Sequence, residues 1–204
     1  KINLKNISFK IKGGKGDYSI PDLKFNWEGG VVNAALSLKA PEFHWIFDGS
    51  GKNIEFGAML RRFGIDGFEK GSASFQGKLA ARGTTPDAFA ASLSGSGKFS
   101  VSGLRASLLE DLAHTLTFFG ASRIASGGIK VAAPFAVKNG IADFAGITAS
   151  SSVISANGSL VLNFVKSSID SLLRFHIGGL EIPLKISGPF GRISVGLDAG
   201  DARP

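Results

Sequence analysis

Cysteine is absent from this chain of 204 residues. That excludes thiolate metal sites, cysteine nucleophiles and disulfides, and it suits an oxidising compartment in which stray thiols would mispair. Charge is also scarce. Asp, Glu, Lys and Arg make up 19% of the residues, against about 25% in an average globular chain. No hydrophobic run reads as a transmembrane helix. The longest uncharged stretch, residues 144–165, is long enough to span a bilayer at ~1.5 Å per residue. It carries Ser150, Ser151, Ser152, Ser155, Asn157, Ser159 and Asn163, which make it too polar for that role, and the alternation around Asn157-Gly158 indicates sheet. The chain opens at Lys1 without a signal-peptide pattern, so an excised or processed segment is expected.

Catalytic constellations are missing as well. Gly49-Ser-Gly51-Lys52 and Gly95-Ser-Gly97-Lys98 hint at phosphate loops, but such a loop needs Gly five residues before the Gly-Lys pair and Ser or Thr after it. Those places hold Ile46 and Asn53 in one case, Ser92 and Phe99 in the other. His44, His114 and His176 stand far apart, without the i, i+4 spacing of helical metal ligands. Glu110-Asp111 is an adjacent acidic pair in an expected first helical turn, where the helix dipole favours negative charge. Asn6-Ile-Ser8 and Asn157-Gly-Ser159 match the glycosylation pattern, to which a bacterial chain would give no meaning. No enzyme activity, cofactor or metal is expected.

What is present is glycine, apolar surface and alternation. Gly accounts for 28 residues, about twice the usual ~7%, and the mean hydropathy is +0.18. A chain this apolar and this poorly charged exposes apolar surface to something other than water. The length is sufficient to bury a sizeable core. The net charge of +7 favours solubility and attracts phosphate. Nucleic acid is not expected as a partner, because basic residues are scattered singly and no aromatic stacking platform accompanies them. Only the first 15 residues are dense in cations. Lys1, Lys5, Lys10, Lys12 and Lys15 mostly alternate there with Ile2, Leu4, Phe9 and Ile11, as on the solvated face of an edge strand.

Period-two alternation dominates the rest. Residues 2–11 alternate with a slip near Lys5-Asn6, which predicts a bulge. Val32, Ala34, Leu36, Leu38 and Ala40 share one face of residues 31–40. Phe43, Trp45 and Phe47 line up opposite His44 and Ile46. Ile129, Val131, Ala133, Phe135 and Val137 oppose Lys130 and Lys138. Ile154, Ala156, Leu160, Leu162 and Phe164 follow, then Ile182, Leu184 and Ile186, then Ile193, Val195 and Leu197. Short Gly-containing turns separate many of these runs, so about twelve antiparallel strands are predicted. Three short helices are expected among them. Phe56, Met59, Leu60 and Phe63 share a helical face over 56–63, with Arg61 and Arg62 in the last turn. Thr85-Pro86 opens a second helix over 86–94, capped by Thr with Pro at its first position. Ser107-Leu-Leu-Glu110 is a capping box for a third over 108–119, with Leu108, Leu112, Leu116 and Phe119 in one stripe. Two broad units, 1–70 and 71–204, are expected, able to share one continuous sheet, with Asp66-Gly67 as the best linker.

Two stretches carry a family resemblance. The first is Gly71-Ser-Ala-Ser-Phe75-Gln-Gly-Lys-Leu79-Ala-Ala-Arg-Gly83 followed by Thr84-Thr-Pro-Asp-Ala-Phe89-Ala-Ala-Ser-Leu93-Ser-Gly95-Ser-Gly-Lys-Phe99. The second is Pro183-Leu-Lys-Ile-Ser-Gly188-Pro189-Phe-Gly-Arg-Ile193. A Gly-led strand, a small-residue turn, a short helix and a further strand, with a closing strand pair near the end, resemble the C-terminal region of the AsmA family of bacterial envelope proteins, TamB-like members included. The match is best over residues 56–119 and 129–197. The resemblance implies a periplasmic, mainly β body anchored to the inner membrane by an N-terminal helix absent here. It also implies a strongly curved antiparallel sheet, an open groove or half-barrel, with about three short helices packed on it.

Its implied role is non-enzymatic: binding or conducting phospholipid, or another acyl-chain lipid, for outer-membrane biogenesis. Lipid-contact candidates on the alternating faces are Phe43, Trp45, Phe47, Ile129, Val131, Phe135, Val137, Leu160, Leu162, Ile182, Leu184 and Ile186. Phe75, Leu79 and Phe99, which flank the helices, are expected in a filled core, and the strands after residue 128 in a groove. The competing reading is a scaffold for outer-membrane proteins, with an ordinary filled core and envelope-protein partners at the sheet edges.

Overall fold

Alternating apolar residues become strands because a pleated strand sends successive side chains to opposite faces. The computed structural model, which describes residues 4–62, 68–106, 128–152, 154–177 and 179–198, contains thirteen such strands in one antiparallel sheet. They are β1 (Leu4–Ser8), β2 (Lys12–Gly14), β3 (Asp17–Trp27), β4 (Gly30–Lys39), β5 (His44–Glu55), β6 (Phe68–Arg82), β7 (Ser94–Ala106), β8 (Ile129–Lys138), β9 (Ile141–Ser150), β10 (Ile154–Asn163), β11 (Ser168–Ile177), β12 (Leu180–Pro189) and β13 (Ser194–Leu197). Sequence order is spatial order from β3 to β13, with β1 beside β3 at one edge and β2 paired to β3 off this path. The sheet is open, and among the described residues no pairing joins β1 to β13. The division expected near residue 70 falls inside β6, which pairs with β5 on one side and β7 on the other.

The slip anticipated near Lys5-Asn6 is real: the β1–β3 register shifts between Lys5 and Ser8, and Asn6 has φ 52°. Further shifts occur between Ile20 and Leu23, Gly51 and Ile54, Val101 and Leu104, and Ala132 and Ala136. The pairings of β10 with β11 and of β11 with β12 instead run through ten residue pairs without interruption.

Two helices are described. α1 (Phe56–Arg62) has Arg61 and Arg62 in its last turn, and the expected final residue of this helix, 63, lies outside the described residues. α2 (Pro86–Ser92) is capped as predicted: Thr85 is the N-cap, its Oγ1 accepts from the Ala88 N–H at 3.2 Å, and Pro86 opens the helix. It stops short of the expected end at 94. Ser92 Oγ accepts from the Arg82 N–H at 2.7 Å and donates to the Arg82 carbonyl at 2.8 Å, pinning the helix to the end of β6. Ser94 already pairs with Ala80, so β7 begins there. The helix expected at 108–119 lies outside the described residues.

A candidate apolar binding face

Directly paired residues share a face, so the register defines what lies on each side of the sheet. One row runs Leu36–Phe47–Leu79–Gly95–Val137–Ala142–Leu162–Ile169–Gly188 across nine strands. A second, on the same face, runs Ile54–Ala73–Val101–Val131–Ala149–Ala156–Phe175–Ile182. Neither row contains a charged or polar side chain. At about 4.8 Å between strands, the first spans roughly 40 Å. Between them lies Phe144–Leu160–Ser171–Ile186. Ser171 is buried there, and its hydroxyl donates to the Ser159 carbonyl at 2.8 Å, which returns its polarity to the backbone. The opposite face carries rows such as Lys24–Asn33–Ser50–Gln76–Lys98.

The apolar face is covered unevenly. At one end α1 lies on it. Phe56 and Met59 pack against a cluster of buried Val32, Ile54, Ala73, Val101, Leu104 and Ile129, and Ile54 is wholly enclosed at 0% exposure. The Phe56 ring meets Phe68 edge-on and Phe99 at a tilt, both at 5.8 Å between centroids. The Trp27 indole N–H, next to this cluster, is buried without a hydrogen-bond partner among the described residues, which costs desolvation free energy. Elsewhere on the face Leu36, Leu38, Phe47, Leu79, Phe135, Phe144, Leu160, Leu162, Ile182 and Ile186 remain half-buried. A smaller cluster of Ile154, Ala156, Phe175 and Leu184 sits among them. Among the described residues the strands contact chiefly their neighbours, and the helices contact chiefly β5 and β6, with Phe56 also reaching Phe99 of β7. Among the described residues, no second layer covers this part of the face.

Glycine sets its relief. Gly49, Gly77 and Gly97 pair in a row that ends at Phe135. A Cβ on Gly97 would come within 2.5 Å of Phe135 Cζ, and one on Gly77 within 3.1 Å. The ring therefore lies low over bare backbone and meets Phe144 at 5.4 Å between centroids. The two Gly-Ser-Gly-Lys segments, which mimic phosphate loops in sequence, are strand interiors whose glycines face this side and whose Lys52 and Lys98 are exposed.

Of the twelve contact candidates, eleven share the face: Trp45, Phe47, Ile129, Val131, Phe135, Val137, Leu160, Leu162, Ile182, Leu184 and Ile186. Ile129 belongs to the packed end, with Val131 against it. Leu184 is buried at 6% exposure within the smaller cluster. Trp45 anchors the opposite end, its Nε1–H donating to the Gly83 carbonyl at 3.1 Å. Phe43 departs from the expectation. It precedes β5, its φ of 48° breaks the alternation, and it is exposed. Phe75 and Phe99 join the α1 cluster as expected for core, whereas Leu79 is half-buried outside it. Sequence reasoning left Phe144 and Leu173 off the candidate set, although each is in register with it. The signal missing was the cross-strand partner, which one strand's pattern does not contain.

The polar side offers little for chemistry. A shallow cleft of about 460 Å³ is lined by Lys24, Asn33, Asp48, Ser50 and Gln76 beside the β3 irregularity at Pro21-Asp22. His44 lies in β5 and His176 in β11, where His176 Nε2 is 3.3 Å from Glu181 Oε2; His114 lies outside the described residues. Among the described residues, no three His, Asp or Glu come together as a metal-binding group. No described helix is long and apolar enough to cross a membrane. No family model, curated protein or solved structure matches the chain.

Proposed function

We propose that this chain is a non-enzymatic periplasmic module of an inner-membrane-anchored, AsmA-like protein, and that its apolar face binds or conducts phospholipid for outer-membrane biogenesis. The observation that carries the reading is the part of the charge-free face away from α1, where Leu36, Phe47, Leu79, Phe135, Phe144, Leu160 and Leu162 stay half-buried with no described element over them. An antiparallel sheet with one apolar face needs a cover on that face. Acyl chains supply it well, because each CH₂ removed from water is worth ~0.8 kcal/mol, and an open side leaves the headgroup wet. Register shifts bend and twist strands, and interior glycines ease the bend. Their frequency from β1 to β10 supports a strongly curved groove.

The test is mass spectrometry of the organic extract of the purified protein. Co-purified phospholipid is expected in the wild type and lost in Phe47→Asp/Leu160→Asp, with the fold retained. A lipid-free wild-type extract, or equal lipid in the variant, contradicts the reading.

The open edges favour a second reading, a scaffold that recruits outer-membrane proteins by strand addition. Among the described residues β13 pairs only with β12, and its Leu197 is 69% exposed.

A further inference from the structure

The end of the sheet that carries α2 is a surface of its own. Six connections meet there: β2–β3, β4–β5, β6–α2–β7, β8–β9, β10–β11 and β12–β13. Backbone hydrogen bonds stitch each to the next. Ala40 N–H donates to the Gly16 carbonyl, Gly83 N–H to Phe43, Gly140 N–H to Leu93, Phe164 N–H to Gly140 and Phe190 N–H to Ser167, all at 2.8–3.2 Å. Gly140, with φ +74°, is the tight point, where a Cβ would lie 2.9 Å from Val165 Cγ2. The turns thus form one continuous rim with a connection about every 10 Å, twice the strand spacing.

Each connection brings one exposed cation. In order they are Lys15, Lys39, Arg82, Lys138, Lys166 and Arg192. The carboxylates nearby in sequence are Asp17, Glu42, Asp87, Asp143 and Asp170, and among the described residues none forms an ion pair with these cations. Exposed apolar side chains interleave with them: Tyr18, Phe43, Phe89, Ile141 and, at 56% exposure, Val165. The other rim is built differently. Arg62 pairs with Glu28 and Arg61 with Glu55 beside α1, the described residues of the β9–β10 and β11–β12 turns carry no cation, and Lys52, Lys70, Arg105 and Lys130 lie within the strand ends.

Unpaired cations interleaved with exposed aromatic and aliphatic tips match a surface that is anionic outside and apolar just beneath. We propose that this rim docks the protein on an anionic lipid bilayer, cations at the phosphates and Phe43, Phe89, Ile141 and Val165 in the headgroup–acyl boundary. The proposal does not depend on the groove: docking is read by vesicle binding, acyl-chain uptake by extraction. A nucleic acid or an acidic protein would use the cations but give the aliphatic tips nothing to enter.

Co-sedimentation with phosphatidylcholine vesicles, with and without phosphatidylglycerol, tests it. Wild type is expected to bind only the anionic vesicles. Each cation near such a surface contributes about fivefold in affinity, so Lys39→Gln/Arg82→Gln/Lys138→Gln/Lys166→Gln should lose on the order of a hundredfold or more. Lys52→Gln/Lys70→Gln/Arg105→Gln/Lys130→Gln, on the opposite rim, removes the same charge, from +7 to +3 (7 − 4). It should lose only a few fold, because a Debye length of about 10 Å screens charges a strand length away. Phe43→Ser/Val165→Ser should weaken binding about tenfold, in line with the apolar area withdrawn from the bilayer. Equal losses from the two charge variants, unchanged binding by the Phe43/Val165 variant, or no wild-type binding to anionic vesicles overturns the proposal.

Discussion

The sheet presents the same apolar face at its α1 end and along β8 to β12, yet the two regions are finished differently. At the α1 end Phe56 and Met59 close over Val32, Ile54, Ala73 and Val101, all at 2% exposure or less. Along β8 to β12 the rows continue in register, but Phe135, Phe144, Leu160, Leu162, Ile182 and Ile186 stay half-buried with no described helix over them. Irregularity does not divide them at β8, because β8–β9 and β9–β10 are shifted as well. The pairings of β5, β6 and β7 with their next strands are bulged, while β10–β11 and β11–β12 run straight. A bulge inserts a residue and turns the strand, and here it lets Ile54 and Leu104 turn under the helix. Period-two alternation assigns a face; the element that lies on it decides between core and surface.

Charge substitution separates the two regions most sharply. Ile54→Asp places an unpaired carboxylate in a site with 0% exposure. Its cost should be about 4 kcal/mol or more, a large part of a domain's ~5–15 kcal/mol stability; a thermal melt within a few degrees of wild type contradicts the packed assignment. Leu184→Asp and Phe135→Asp probe the other region. Leu184 belongs to the buried cluster of β10 to β12, so its substitution should cost about 3 kcal/mol. Phe135 is half-buried on the uncovered part, and an Asp there reaches water, at a cost of about 1–2 kcal/mol. Equal urea midpoints for the two variants would erase the distinction.

Smaller effects sharpen it. Gly97→Val drives a side chain into the Phe135 ring and the Gln76 carbonyl, for an expected loss of about 1–3 kcal/mol in urea denaturation. Unchanged stability means that the ring does not lie over Gly97. Thr85→Ala removes the α2 cap and should cost about 1 kcal/mol, with no effect on the apolar face. A larger loss would mean that α2 supports the sheet beyond the end of β6.

Much of this was legible in the residues. Val32, Ala34, Leu36 and Leu38 alternate in sequence and share a face in β4; Thr85-Pro86 caps α2; the slip at Asn6 is a bulge. Each of these is local, set by neighbours along the chain. What was not legible is relational. Gly49, Gly77 and Gly97 lie in separate strands, and only pairing shows that together they form a floor under Phe135. The same residues sit in segments that imitate phosphate loops, because a glycine chosen for a flat ring looks like one chosen for a phosphate. Phe43 obeyed the alternation in sequence, but its positive φ in the turn took it off the face. Leu184 alternates like Phe135, yet its neighbours Phe175 and Ile182 enclose it.

The central claim is that the uncovered part of the apolar face takes acyl chains. Site-specific photocrosslinking tests it most directly, with the reactive group placed in turn at Phe47, Phe135 and Leu160, and at Gln76 on the polar side, in cells that make the protein. The account predicts phospholipid adducts at the first three positions and none at Gln76. Peptide adducts alone at Phe47, Phe135 and Leu160, or lipid adducts equally frequent at Gln76, contradict it.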